Sequence, residues 1–150
     1  MTQLQVVYDA FLGKMLEDEW MNWDLEDIEV DWRVLLNAAL PWFKFPRVSL
    51  DIIVDEEDDE EKFEADLSNE EIQIIATYMK CEWLNRTILT WENVKPLYEE
   101  RDFSQANLLD KFNEMLAAEK KNAARLEAVY YRSIKRKPFE YRQMATAIDG

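Results

Sequence analysis

Thirty-two carboxylates, one thiol and no imidazole set the chemistry open to this chain of 150 residues. Without histidine, triads of the Ser-His-Asp type, histidine general bases and histidine metal sites are all excluded. Cys81 is the only cysteine, so neither a thiolate zinc site nor a disulfide within the chain can form, which suits a reducing cytoplasm. Neither phosphate-cradling glycine pattern is present, and only 2 glycines occur. Paired carboxylates could do acid–base work, but only in a concave, partly desolvated pocket, and abundance of acids is not placement. The residues therefore point to a protein that binds and not to an enzyme, with no cofactor and no metal expected. The densest acids, the seven consecutive residues Asp55 to Glu61, could attract Ca²⁺ or Mg²⁺. They lack the spaced ligands and the turn glycine of an EF-hand loop, so a solvated, mobile loop is the expectation.

The cations are placed unevenly. Residues 120 to 142 hold Lys120, Lys121, Arg125, Arg132, Lys135, Arg136, Lys137 and Arg142 against Glu127 and Glu140. That local charge of +6 leaves −20 on the remainder, since the whole chain carries −14. Helix C-termini favour cations because the macrodipole is negative there, which accounts for two or three of the eight. The rest read as a docking arm for an acidic partner such as the body of an adjacent copy. The candidate partner-binding residues are Arg132, Lys135, Arg136, Lys137, Phe139, Tyr141 and Arg142. Nucleic-acid contact by Lys135, Arg136 and Lys137 is a weaker alternative: three clustered cations give only a salt-sensitive affinity, and the acidic body opposes it.

The elements that must position these groups are mostly helical. Hydrophobic residues make up 48% of the chain, enough for a core, and 2 Gly with 4 Pro favour long helices over many tight turns. Leu4, Val7, Tyr8, Phe11, Leu12 and Met15 fall at helical spacing and predict a helix over 2–16, with Thr2 as a cap. The acidic, Trp-rich stretch 17–24 suits a loop or the first turn of a second helix, whose stripe is Trp32, Leu35, Leu36, Ala39 and Leu40, closed by Pro41. Val48, Leu50, Ile52 and Val54 alternate with Ser49 and Asp51, a strand signal broken at Ile53, and 62–67 could return as a second short strand. Ser68 with Glu71 three residues on forms a capping box for a helix carrying Ile72, Ile74, Ile75, Ala76, Met79 and Trp83. Being apolar around its girth, that helix belongs at the centre of the core. It ends between Thr87 and Lys95. Ser104 reads as the cap of a final helix over about 105–134, and Pro138 precedes an extended tail. The resulting expectation is a mainly α fold: a helical bundle with a long C-terminal helix, a small β-hairpin or strand segment around 46–67, and an extended C-terminal tail. One helical domain would cover 1–137, with the strand and acidic loop inserted at 43–67 and a docking tail at 138–150.

Two further groups suggest surfaces. Four of the six tryptophans lie within residues 20–42, too many for one small core cluster, so one or two are expected as exposed anchors for a partner. Phe45-Pro46-Arg47 reads either as a turn before a strand or as an exposed edge that pairs with another subunit. No apolar run approaches the ~20 residues of a membrane span, and no charged-then-apolar leader opens the chain. A protein made and used in the cytoplasm, or in something assembled there, is expected.

Several stretches together resemble one family: Asp18-Glu19-Trp20, FKFPR at 43–47, LSNEEIQIIATYMKCEW at 67–83, YEERDFSQANLL at 98–109, and Tyr130-Tyr131-Arg132. The set is similar to small virion proteins of tailed bacteriophages, above all head–tail connector (adaptor or head-completion) proteins, and spans the chain to about residue 137. The resemblance implies a helical subunit of a homo-oligomeric ring, dodecameric in such adaptors, in the virion neck and assembled in the host cytoplasm. DNA would pass through its lumen without sequence-specific binding. The C-terminal segment would dock on the portal protein, and other neck or tail proteins would meet a loop or hairpin. The strand segment 48–54 exceeds what an all-helical adaptor needs, which leaves the position in the neck open. Two alternatives are another phage assembly or tail-completion protein and an acidic DNA-mimic inhibitor of a host protein. A mimic would gain nothing from a +6 arm.

Overall fold

The 26-residue helix over Asn69–Val94 organises the molecule. Apolar residues surround it, so no single stripe can satisfy it and neighbours must cover several sides. In the computed structural model, which describes residues 1–15, 20–94 and 103–135, three other helices do so. These are α1 (Leu4–Leu12), α2 (Leu25–Ala39) and α4 (Phe103–Lys135), with the Asn69–Val94 helix as α3. All three pack on α3. Val7, Phe11, Leu36, Ile74, Ile75, Met79 and Leu84 are fully buried at the centre. The fold is mainly α, as the composition requires.

Helix ends follow local chemistry. Ser68 and Glu71 form the expected capping box: the Glu71 N–H donates to Ser68 Oγ at 3.2 Å, and the Ser68 N–H donates to Glu71 Oε1 at 2.7 Å. Glu26 and Asp27 occupy the first turn of α2, where the helix dipole favours anions. A 3-10 turn, Leu40–Trp42, follows α2 and contains Pro41. The last helix begins at Phe103, so Ser104 stands within its first turn and not ahead of it. At ~1.5 Å per residue the 33 residues of α4 run for roughly 50 Å.

The first helix is shorter than its apolar spacing suggests. Thr2 and Gln3 form a strand, β1, before α1 begins at Leu4. Thr2 is therefore no cap. Its hydroxyl donates to the Ala65 carbonyl at 3.1 Å and accepts the Leu67 N–H at 2.8 Å, tying the chain's start to the strand region. β2 (Ile52–Asp55) and β3 (Glu60–Phe63) complete an antiparallel sheet in the order β1-β3-β2. Phe63 lies opposite both Thr2 and Ile52 and is wholly buried.

The strands also correct the reading of the acidic run as a mobile loop. Asp55, Glu60 and Glu61 are strand residues, and 56–59 is a tight hairpin turn. The acids themselves build the turn. Asp55 Oδ1 accepts the Glu57 N–H and Asp58 Oδ1 the Glu60 N–H, both at 3.1 Å, in the manner of Asx turns. Asp59 takes a positive φ of 60°, a conformation aspartate tolerates better than most residues. Lys62 reaches back to the carboxylates of Asp55, at 2.8 Å, and Asp58. Those two bonds, which outweigh the cost of desolvation, push its ammonium well above the usual lysine range. One cation and satisfied amides offset the repulsion that a row of seven acids implies.

Candidate functional site

The tryptophans divide as their crowding in the sequence requires. Trp20, Trp32 and Trp83 are buried, whereas Trp23 and Trp42 are 43% and 48% exposed. Trp20 and Trp32 form an aromatic cluster with Phe11 and Tyr8. The Trp20 indole N–H donates to Asp31 at 2.7 Å, and Asp31 also pairs with Arg86 at 2.6 Å. Burial resists ionisation of Asp31, but the bonds from Arg86 and Trp20 outweigh it and hold the carboxyl below its usual range. Trp42 stacks on Tyr78 and donates to Glu82 at 2.6 Å.

The structure brings Phe45-Pro46-Arg47 onto the C-terminal part of α4. This segment is not strand; β2 begins only at Ile52. The Arg47 backbone N–H donates to the Tyr130 hydroxyl at 2.9 Å, and that hydroxyl donates to Glu71 Oε2 at 2.8 Å. The Arg47 guanidinium lies 5.0 Å from the Tyr130 ring centroid and donates to Ser133 Oγ at 3.3 Å. Phe45 meets Tyr131 edge-on, yet stays 70% exposed. The segment, read as either a turn before a strand or a pairing edge, lies ahead of β2 and clamps α4 to the start of α3. Burial, with the Glu71 carboxylate adding to it, pushes the Tyr130 hydroxyl up to about 12 against the opposing Arg47 N–H.

Of the arm residues, Arg132 is exposed on α4 and Lys135 is its last residue. Arg136, Lys137, Phe139, Tyr141 and Arg142, and the expected tail 138–150, lie outside the described residues. Ion pairing separates the cations of three body elements from those of α4. Every cation on α2, β3 and α3 sits in an ion pair: Arg33 with Glu61, Lys62 with Asp55 and Asp58, Lys80 with Glu119, and Arg86 with Asp31. Among the described residues, Lys120, Lys121, Arg125 and Arg132 on α4 join no ion pair, nor do Lys111 earlier on α4 and Lys14, Lys44 and Arg47 outside the helices.

A second surface went unread in the sequence. A groove of about 710 Å³ opens between β1 with the start of α1, residues 26–34 of α2, and β3. Its apolar lining includes Leu4, Tyr8, Val30 and Val34; its charges are Glu26, Glu29, Glu60 and Glu61 against Arg33 alone. Val30 and Val34 are 65% and 56% exposed. Arg33 is held by Glu61 at 3.1 Å and by Asn37 at 2.5 Å. Burial pushes the Tyr8 hydroxyl up to about 12; Arg33 opposes this, and Glu61 and Glu29 add to it. One signal could have revealed the groove: Val30 and Val34 are one turn apart and face away from the stripe of Trp32, Leu35, Leu36 and Ala39. Chemically, such a groove suits a cationic segment with apolar side chains. Among the described residues no helix is long and apolar enough to cross a membrane. No family model, no curated protein and no solved structure matches this chain.

Proposed function

We propose that this chain is a structural protein of the tailed-bacteriophage neck, a subunit of an adaptor ring between portal and tail that works by binding and not by catalysis. The observation that carries the reading is the contrast in charge pairing. The cations of α2, β3 and α3 are neutralised within the body, while those along the second half of α4 stand unpaired at the end of a helix roughly 50 Å long. Those cations, Lys120, Lys121, Arg125 and Arg132, are exposed, so they are available to an acidic partner, and their field steers its approach. The clamp of Phe45 to Arg47 on Tyr130 supports the same reading, because it ties the end of α4, from which the basic segment continues, to the body. The acidic body suits a channel wall along which DNA passes without being gripped.

The test is the mass of the purified full-length protein in solution, alone and with the portal protein of the same phage, together with mass spectrometry of purified virions. Ring-sized assemblies or a stable complex with the portal, and presence in the virion at ring stoichiometry, would support the reading. Absence from the virion together with no portal complex would refute it.

A further inference from the structure

We propose that the groove between α1, α2 and β3 seats residues 136–142 of a second copy of this chain. The inference rests on reading the basic C-terminal segment as a docking arm, and it does not need the neck assignment. The two surfaces are complementary in charge and in apolar content. The groove presents Glu26, Glu29, Glu60 and Glu61 around an apolar floor that includes Val30 and Val34. The segment supplies Arg136, Lys137 and Arg142 around Phe139 and Tyr141, with Glu140 as its one acid. Exposed valines amid glutamates are poorly used by water alone; covering them with two aromatic rings removes apolar surface from solvent while the cations meet the rim. The volume, about 710 Å³, falls within the roughly 300–1,000 Å³ of sites that hold drug-sized ligands, ample for two aromatic side chains and a short run of backbone.

The occupant is taken from a second copy because a chain of net charge −14 repels its own copies, and placing the basic segment of one against the acidic groove of the next offsets that repulsion. Pairing two different surfaces of one chain is a heterologous, head-to-tail contact. Such a contact generates a ring when the rotation closes.

Sedimentation velocity of the full-length protein at low and high salt reads the contact directly. The wild type should associate at low salt and dissociate as salt screens the rim. Glu26→Lys with Glu29→Lys, and separately Arg136→Glu with Lys137→Glu, should each weaken association about tenfold, because each reverses two exposed charge pairs. A one-to-one mixture of the two variants should regain it, since each variant's groove then matches the other's tail. Circular dichroism of each variant checks the fold; Glu26 and Glu29 are exposed. Zero-length carbodiimide cross-linking of mixed isotope-labelled and unlabelled wild type gives a readout without substitutions, with expected links from Lys137 to groove glutamates between copies. A monomeric wild type at low salt, links confined within one copy, variants that sediment as the wild type does, or a mixture that does not recover would each overturn the proposal. Since no portal protein is present, failure here leaves the neck reading to its own test.

Discussion

Removing one oxygen from Tyr130 tests how the arm is anchored. In Tyr130→Phe the ring, 2% exposed, keeps its packing against Phe43 and Tyr131. Two hydrogen bonds are lost: the one accepted from the Arg47 N–H at 2.9 Å and the one donated to Glu71 at 2.8 Å. A neutral hydrogen bond contributes about 1 kcal/mol and one to a charged group about 1.5–3 kcal/mol. Glu71 is 3% exposed, so water cannot readily replace the hydroxyl; it does keep the Ser68 N–H at 2.7 Å. The net cost is therefore about 2–3 kcal/mol, or a fall in Tm of roughly 5–10 °C for a chain of this size. Thermal and urea denaturation followed by circular dichroism would measure it. The control is next door. The Tyr131 hydroxyl is buried without a hydrogen-bond partner, so Tyr131→Phe should be neutral or slightly stabilising. A Tyr130→Phe variant within about 0.5 kcal/mol of the wild type, or two variants equally destabilised, would refute the clamp.

Other expectations follow from the same geometry. Asp31→Asn should cost about 1–2 kcal/mol by removing the charge that pairs with Arg86. Because Asp31 is held below the usual carboxyl range, its contribution is complete above the unfolded value of about 4 and fades as pH falls through the folded one; acid titrations of Trp fluorescence in wild type and variant should converge there. At high pH the sign reverses. Burial pushes Tyr8 and Tyr130 to about 12, so the unfolded chain sheds these protons first, and stability should fall between about pH 10 and 12 by about 1.4 kcal/mol per pH unit for each; a flat urea midpoint would contradict this. Cys81 is buried, and that burial raises its thiol to about 11, so alkylation should be slow in the native protein and rapid in denaturant. Moderate salt should raise the Tm of the isolated chain, since screening relieves self-repulsion at a net charge of −14; a Tm that drops with salt would mean the ion pairs outweigh that repulsion.

Much of the fold was legible because local chemistry and the global arrangement agree. The Ser68–Glu71 box marks the start of α3 in sequence and structure alike, and the girdle of apolar residues on α3 fixes it at the centre. Two readings failed where a distant partner overrides local pattern. Thr2 looked like a cap, but pairing with β3 recruits its hydroxyl to Ala65 and Leu67, more than sixty positions away. The acidic run looked too repulsive to order, because charge density was weighed without the Asx turns that its own side chains supply or the return of Lys62. Of the candidate site, the sequence leaves Phe45 to Arg47 open between a turn before a strand and a pairing edge, and their contact with α4 went unread, since nothing in sequence shows Tyr130 waiting 83 positions on. The groove was missed because three separate elements build it, and only Val30 and Val34 break the polarity of their helix face.

The unequal charge, −20 on the body and +6 near the end, acquires a structural meaning from α3. Several of the body's acids are offset by cations from their own neighbourhood: those of the hairpin by Lys62, which closes it, Glu61 by Arg33, and Asp31 by Arg86. Lys80 is the exception that fixes the geometry, because its pair with Glu119 joins α3 to α4 just before Lys120 begins the basic stretch. An acid on α4 is thus spent on holding the helix to the core, and the cations that follow it carry no such duty. A surplus of negative charge lines the groove, and a surplus of positive charge follows Glu119 in the sequence. Surfaces of opposite sign on two copies attract each other and fix the register in which they meet.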